Sequence, residues 1–248
     1  MTSASTPSRR HFWLRRLHSL SGVVPLAVFL LEHLWTNAQA LWGPRAFDDA
    51  VAQLTQMPGL PLIEIVGIFL PLAFHAGYGL FLTRAADPNV IAYPFARNWG
   101  YVLQRVTGVL VLAFVLFHLW EFRLQKLLFG MDPSAFYPTL AASLSQTTWG
   151  IPWRALLYSA GLAATVLHFA NGLFGFCCTW GIAVSRRAQT RVLAAVSVLG
   201  AGVFVLGALV VVHFATGPFW PHEDVNDSCR ELPEGPATPR AGKLPKRP

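Results

Sequence analysis

The sequence is poor in charge. Asp, Glu, Lys and Arg make up 12% of its 248 residues, while 54% are hydrophobic; a soluble globular domain carries about 25% charged residues. Half that figure leaves too little polar surface to wrap a water-exposed body, so the bilayer is the natural solvent. Acidic residues are scarcer than basic ones, 12 against 19, giving a formal net charge of +7. The basic residues gather at the ends of apolar segments and form no stripe on a polar domain, which argues against a nucleic-acid partner. Cysteine is scarce too. Cys177, Cys178 and Cys229 form neither CxxC nor CxxCH, which argues against a zinc ribbon and against covalent haem attachment. Cys177 and Cys178 lie in an apolar run and read as packing residues. No internal repeat or heptad array is visible.

Long apolar runs are plentiful. Five of them, at 19–42, 60–83, 100–120, 155–183 and 192–215, reach the roughly 20 residues needed to cross a bilayer. Backbone groups in lipid must bond internally, so each is expected to be a helix, with Pro25, Pro61 and Pro71 as kinks or helix starts. The fold class expected is all-α, an integral-membrane five-helix bundle. Residues 1–18 read as a basic arm, 19–215 as the membrane domain and 216–248, rich in proline and charge, as a disordered extracytoplasmic tail. The Ser8-Arg9-Arg10-His11-Phe12 stretch resembles an export signal, and Ala38-Gln39-Ala40 a cleavage site. The long apolar stretch between them carries Glu32 and His33, and four more spans follow, so it reads as a retained first helix.

Orientation follows from Lys and Arg in the short loops. Arg9, Arg10, Arg15 and Arg16 precede the first helix; Arg84 and Arg97 join the second to the third, with Arg105 just inside the latter; Arg186, Arg187 and Arg191 join the fourth to the fifth. Opposite them stand Arg45 and the Arg123, Lys126 and Arg154 of the third-to-fourth loop. The bias places the N-terminus in the cytoplasm; the location expected is the cell inner (cytoplasmic) membrane. Trp42, Trp99, Trp120, Trp149, Trp153 and Trp180 fall at segment ends, as an aromatic belt does.

Four histidines, His33, His75, His118 and His168, lie one on each of the first four helices. Ionisable groups inside a membrane are costly and usually functional. At 1.5 Å per residue, His33 is about 21 Å deep from the inner side and His118 near the outer end, while His75 is roughly 13 Å and His168 about 18 Å from the inner edge. They sort by depth into His33 with His118 and His75 with His168, about 9 Å apart in mean depth. Two such pairs in an oily four-helix interior suit two bis-histidine b-type haems; a zinc site needs three or four ligands at one depth. Gly79 and Gly172 follow His75 and His168 by four residues, and Gly22 and Gly108 precede His33 and His118 by eleven and ten. Each falls on or near the face of its histidine, where a missing side chain admits a porphyrin or a neighbouring helix.

The surrounding words carry a resemblance. They are Arg15-Arg16-Leu17-His18-Ser19-Leu20, Glu32-His33-Leu34, Phe69-Leu70-Pro71-Leu72, His75-Ala76-Gly77-Tyr78-Gly79, Arg97-Asn98-Trp99, Leu103-Gln104-Arg105-Val106-Thr107-Gly108, His118-Leu119-Trp120-Glu121, His168-Phe169-Ala170-Asn171-Gly172 and Thr179-Trp180-Gly181-Ile182. Over about residues 13–190 the chain resembles the five-helix, two-haem cytochrome b subunits of bacterial succinate dehydrogenases. The resemblance implies two haem b, with His33 and His118 as axial ligands of the outer and His75 and His168 of the inner. It implies flavoprotein and iron–sulfur subunits as partners on the cytoplasmic face, and electron transfer to menaquinone or another quinone. His18 sits in a family word at the inner edge, where it, Arg16 and Arg105 are candidates for haem propionates. Quinone reduction needs protons; Glu64, near the outer end of the second helix, is the first candidate to relay them and Glu32 the second. Related dihaem fumarate reductases place a glutamate two residues before the proximal ligand, where this chain has Val166, so that relay is not expected. The alternatives are a di-haem cytochrome b of a hydrogenase or formate dehydrogenase, and a transporter with proton-relay histidines.

Overall fold

The computed structural model describes residues 9–85, 87–125, 128 and 136–217. The expected tail from 216 and Cys229 therefore fall almost wholly outside the described residues. Five helical spans dominate: α1 (Arg9–Trp42), α3 (Leu60–Arg84), α4 (Ala96–Leu124), α6 (Trp153–Thr179) and α7 (Arg186–Thr216), each long and apolar enough to cross a membrane. The chain is thus a multi-pass membrane protein. Two shorter helices, α2 (Pro44–Thr55) and α5 (Phe136–Ser145), are too short to span and were not expected. Among the described residues the nearest approach to a strand is an isolated Thr148–Ile151 bridge.

α1 begins ten residues before the apolar run because nothing between Arg9 and Gly22 breaks a helix. At about 50 Å it exceeds the roughly 30 Å hydrocarbon thickness, so its basic first turns stand at headgroup level. Three spans contain a π-helical stretch: Gly22–Leu26, Glu64–Phe69 and Leu119–Leu124. Pro25 lies inside the first and Pro71 follows the second; a proline removes one i→i−4 bond and crowds the preceding turn, which widening relieves. No proline accompanies the third, which starts directly after His118. Gly43, at φ 117°, makes the turn into α2, and Pro44 opens that helix where a missing N–H costs nothing. Ser185 caps α7 by accepting from the Ala188 N–H at 3.1 Å.

The end of the bundle where α1 begins is called here the near end, and the opposite one the far end. α1, α3, α4 and α6 form a four-membered ring, each touching the next, and α7 packs outside it against α6 and α1. The α6–α7 and α4–α6 interfaces are the most extensive. In α7 six of the seven buried residues, Val196, Gly200, Val203, Gly207, Val210 and Phe214 (the seventh is His213), are spaced four and three alternately, the seam of coiled-coil packing. The sequence concealed this array because two of its positions are glycines. Gly200 lies against Val166 and Ala170, and a β-carbon on Gly207 would stand 2.7 Å from Leu162. Val166 is therefore a buried packing residue of the α6–α7 seam. At the far end Ala38, Ala40, Leu41, Phe47, Leu144, Tyr158, Val210 and Phe214 make the largest core cluster, closed over by α2 and α5. The belt tryptophans stay outside, at 38% exposure or more.

Candidate functional site

The four spans of the ring bring the histidines together in two pairs. The rings of His33 (α1) and His118 (α4) lie 5.6 Å apart, centroid to centroid, at 78°. Those of His75 (α3) and His168 (α6) lie 6.2 Å apart at 87°. A metal–imidazole bond is about 2 Å, as at zinc, so two rings that grip one metal have centroids about 6 Å apart. Among the described residues no group of three or more His, Cys, Asp or Glu converges, which leaves the pairs as two-ligand sites of the kind a porphyrin completes.

The near pair is oriented by backbone. His75 Nδ1 donates to the carbonyl of His18 at 3.0 Å, and His168 Nδ1 to that of Gln104 at 3.1 Å. A carbonyl only accepts, so both rings carry their proton on Nδ1 and keep Nε2 as a bare donor atom for metal. At His168 the Gln104 amide stands 3.4 Å from Nε2; Asn171 holds that glutamine by donating to its Oε1 at 2.7 Å. The His18 ring stacks on His75 at 4.1 Å and 17°.

Glycines line this level, though not as their spacing suggested. A β-carbon on Gly22 would stand 2.5 Å from His75 Cε1, and one on Gly108 2.9 Å from His168 Cε1. These glycines share a face with His33 and His118 but lie several turns nearer the N-terminal end, so they serve the near pair. Gly79 faces the His18 ring instead, and Gly172 faces Gln104. The glycine cradle and the two unprotonated Nε2 atoms would fit a flat macrocycle held by His75 and His168.

The far pair is lined by aromatic rings. Phe29 lies 5.5 Å from His33; Phe114 stacks on His118 at 5.9 Å and Phe122 approaches it edge-on at 5.5 Å. Asn37 donates to the His33 carbonyl at 2.7 Å. His118 Nδ1 meets the Tyr158 hydroxyl at 3.2 Å, and that hydroxyl donates to Glu121 at 2.8 Å. Glu121 also pairs with Arg154 at 3.1 Å and accepts from Ser143 at 3.0 Å. Tyr158 and Ser143 were not singled out in the sequence, and Arg154 only as a loop charge: a tyrosine among apolar residues reads as packing, and only the fold shows its neighbours.

The remaining candidates divide. Glu64 forms an ion pair with Arg123 across α3 and α4. Both line a cavity of about 300 Å³ with Pro61, Ile65, Phe69, Leu119 and Leu124, and Leu119 directly follows His118. Glu32 accepts from Thr36 at 2.7 Å on its own helix and does not line that cavity. At the near end, His18 Nδ1, Arg105 Nε and the Tyr78 hydroxyl are buried without a hydrogen-bond partner among the described residues. Arg105 otherwise donates to the Tyr101 carbonyl at 2.9 Å. Arg16 sits over the Phe12 and Trp180 rings, 5.2 and 5.0 Å from their centroids, at the rim. Of the leftover histidines, His213 is buried at the far end with the Tyr137 hydroxyl 3.0 Å from its Nε2, apart from both pairs.

No family model matches the chain. It is 41% identical over 180 residues to the succinate dehydrogenase cytochrome b558 subunit of Bacillus subtilis (strain 168), an alignment that covers 73% of this chain and 85% of the relative.

Proposed function

From the premise that the chain belongs to the succinate dehydrogenase cytochrome b558 subunits, we propose that it holds two haem b, one between His33 and His118 and one between His75 and His168. The chain is the haem-containing membrane anchor of a succinate:quinone oxidoreductase; the hydrogenase and formate dehydrogenase readings are not favoured. The observation that carries the proposal is the pairing of four imidazoles at two levels of one apolar ring of helices. Each haem supplies a one-electron ferric–ferrous couple when bound.

The protein's own contribution is positional. His18 and Gln104 fix the near imidazoles through their carbonyls, and Gly22 and Gly108 leave the space beside them. His18, Arg105 and Tyr78 offer three unpaired donors at the near end, which suits carboxylate groups; Arg16 is the weaker candidate because its guanidinium already lies on two rings. The cavity between Glu64 and Arg123 suits the head of a menaquinone or another quinone, with Glu64 as the group that relays protons to it and Glu32 as the lesser candidate. The flavoprotein and iron–sulfur subunits would dock at the near end, which faces the cytoplasm. Two of the three described far-end arginines, Arg123 and Arg154, are paired with acids, whereas no near-end arginine is paired with an acid among the described residues.

The test is a pyridine haemochrome count with a reduced-minus-oxidised spectrum of the purified complex. Two haems are expected per chain, with His33→Ala and His75→Ala each removing a different one. One haem per chain, or the same haem lost from both variants, overturns the proposal.

A further inference from the structure

The two imidazole pairs are not set alike. His75 and His168 turn Nδ1 to neutral backbone carbonyls. His118 turns Nδ1 to the Tyr158 hydroxyl, whose own proton is committed to Glu121. With that proton spent, the hydroxyl oxygen can only accept from the ring, so His118 is protonated on Nδ1 and bare on Nε2. Glu121 is fixed in turn from two other elements: Ser143 of α5 donates to one oxygen, and Arg154 at the start of α6 pairs with that same oxygen while donating to Ser143 at 2.9 Å. Tyr158 is 8% exposed and the Glu121 side chain 12%, so the chain is buried at the ring and partly exposed at the carboxylate.

We propose that Tyr158 and Glu121 are positioning residues for His118, and that their N–H···O–H···carboxylate chain sets the reduction potential of the haem held by His33 and His118. This rests on the reading that those histidines are its ligands. Successive hydrogen bonds polarise one another, and those ending on a charge are the strong ones. An outer partner of this kind raises the basicity of a ligating imidazole and fixes its orientation. A more basic ligand stabilises ferric over ferrous iron and lowers the potential. The near pair, facing carbonyls, lacks this charge.

Tyr158→Phe keeps the ring packed among Phe114, Phe117 and Phe122 and removes only the hydroxyl; Glu121→Gln keeps the shape of the acceptor and removes its charge. Both are tested by optical potentiometric titration of the purified complex, with the far haem identified as the one that His33→Ala lacks. The expected result is two haems in each variant, a positive shift of the far-haem midpoint in both, an unmoved near-haem midpoint, and an altered gmax of the far ferric haem in the electron paramagnetic resonance spectrum. An unmoved far midpoint, or equal movement of both haems, overturns the inference. Loss of the far haem from both variants would mark the network as structural and overturn it as well. Fewer than two haems in the unsubstituted complex removes the underlying reading instead, and this inference with it.

Discussion

Gly22 lies against the edge of the His75 ring, so close that a β-carbon on it would stand 2.5 Å from Cε1. His75 cannot swing away freely, since its Nδ1 is tied to the His18 carbonyl. Gly22→Val is therefore expected to cost about 1–3 kcal/mol of overpacking and to remove the near haem while sparing the far one. Gly108→Val should do the same through His168. Haem counting on the two purified variants checks this; retention of both haems in both variants would refute the cradle.

The Glu64–Arg123 cavity gives a second expectation. Removing a positioned acid–base group typically lowers rate by 10²–10⁴-fold, so Glu64→Gln should reduce quinone turnover by on the order of 10²-fold with both haems present. Leu119→Trp, which fills the cavity, should raise KM for quinone more than it lowers kcat. Steady-state kinetics with a soluble quinone analogue separates the two effects; normal turnover in Glu64→Gln would remove the site from this cavity.

A third concerns the α6–α7 seam. Gly207→Val places a β-carbon against Leu162 and should cost about 1–3 kcal/mol. At about 2–4 °C per kcal/mol for a chain of this size, the melting temperature should fall by several degrees with haem content intact. Combining it with Leu162→Ala should restore most of the loss, which thermal melts followed by circular dichroism would show.

The fourth is a pH dependence at the far end. Burial, and then the neighbouring Asp49, raises the Asp48 carboxyl above its ordinary value. The folded chain thus holds that proton more tightly than the unfolded chain. The stability it contributes is complete below the unfolded carboxylate value and is lost as pH rises through the raised one. Asp48→Asn should flatten this slope, so that the variant melts higher than the parent at neutral pH and gains nothing in acid. Burial and then Asp48 raise the Tyr137 hydroxyl as well, so the substitution should also ease its ionisation.

Much of this arrangement was legible in the residues. Apolar length locates the five spans because lipid allows little else, and rise per residue sorts His33 with His118 and His75 with His168 because a straight helix converts sequence into depth. The glycines misled for the same reason that the histidines did not. Spacing places Gly22 on a face of α1 but does not say which neighbouring helix fills it, and that neighbour is α3 with His75. The short helices α2 and α5 lack the length that makes a span conspicuous. The Tyr158–Glu121 contact joins two spans through side chains, and no periodicity within either span announces it. The α7 seam was hidden because glycine carries no hydrophobic signal, although close approach is what it permits.

α3 contains no fully buried residue along its whole length. Protein packing therefore buries less of it than of any other span, and on the proposed ligation the haem held by His75 would supply part of its attachment. On this account maturation would be coupled to porphyrin supply, because a chain short of haem would hold α3 least firmly of its five spans.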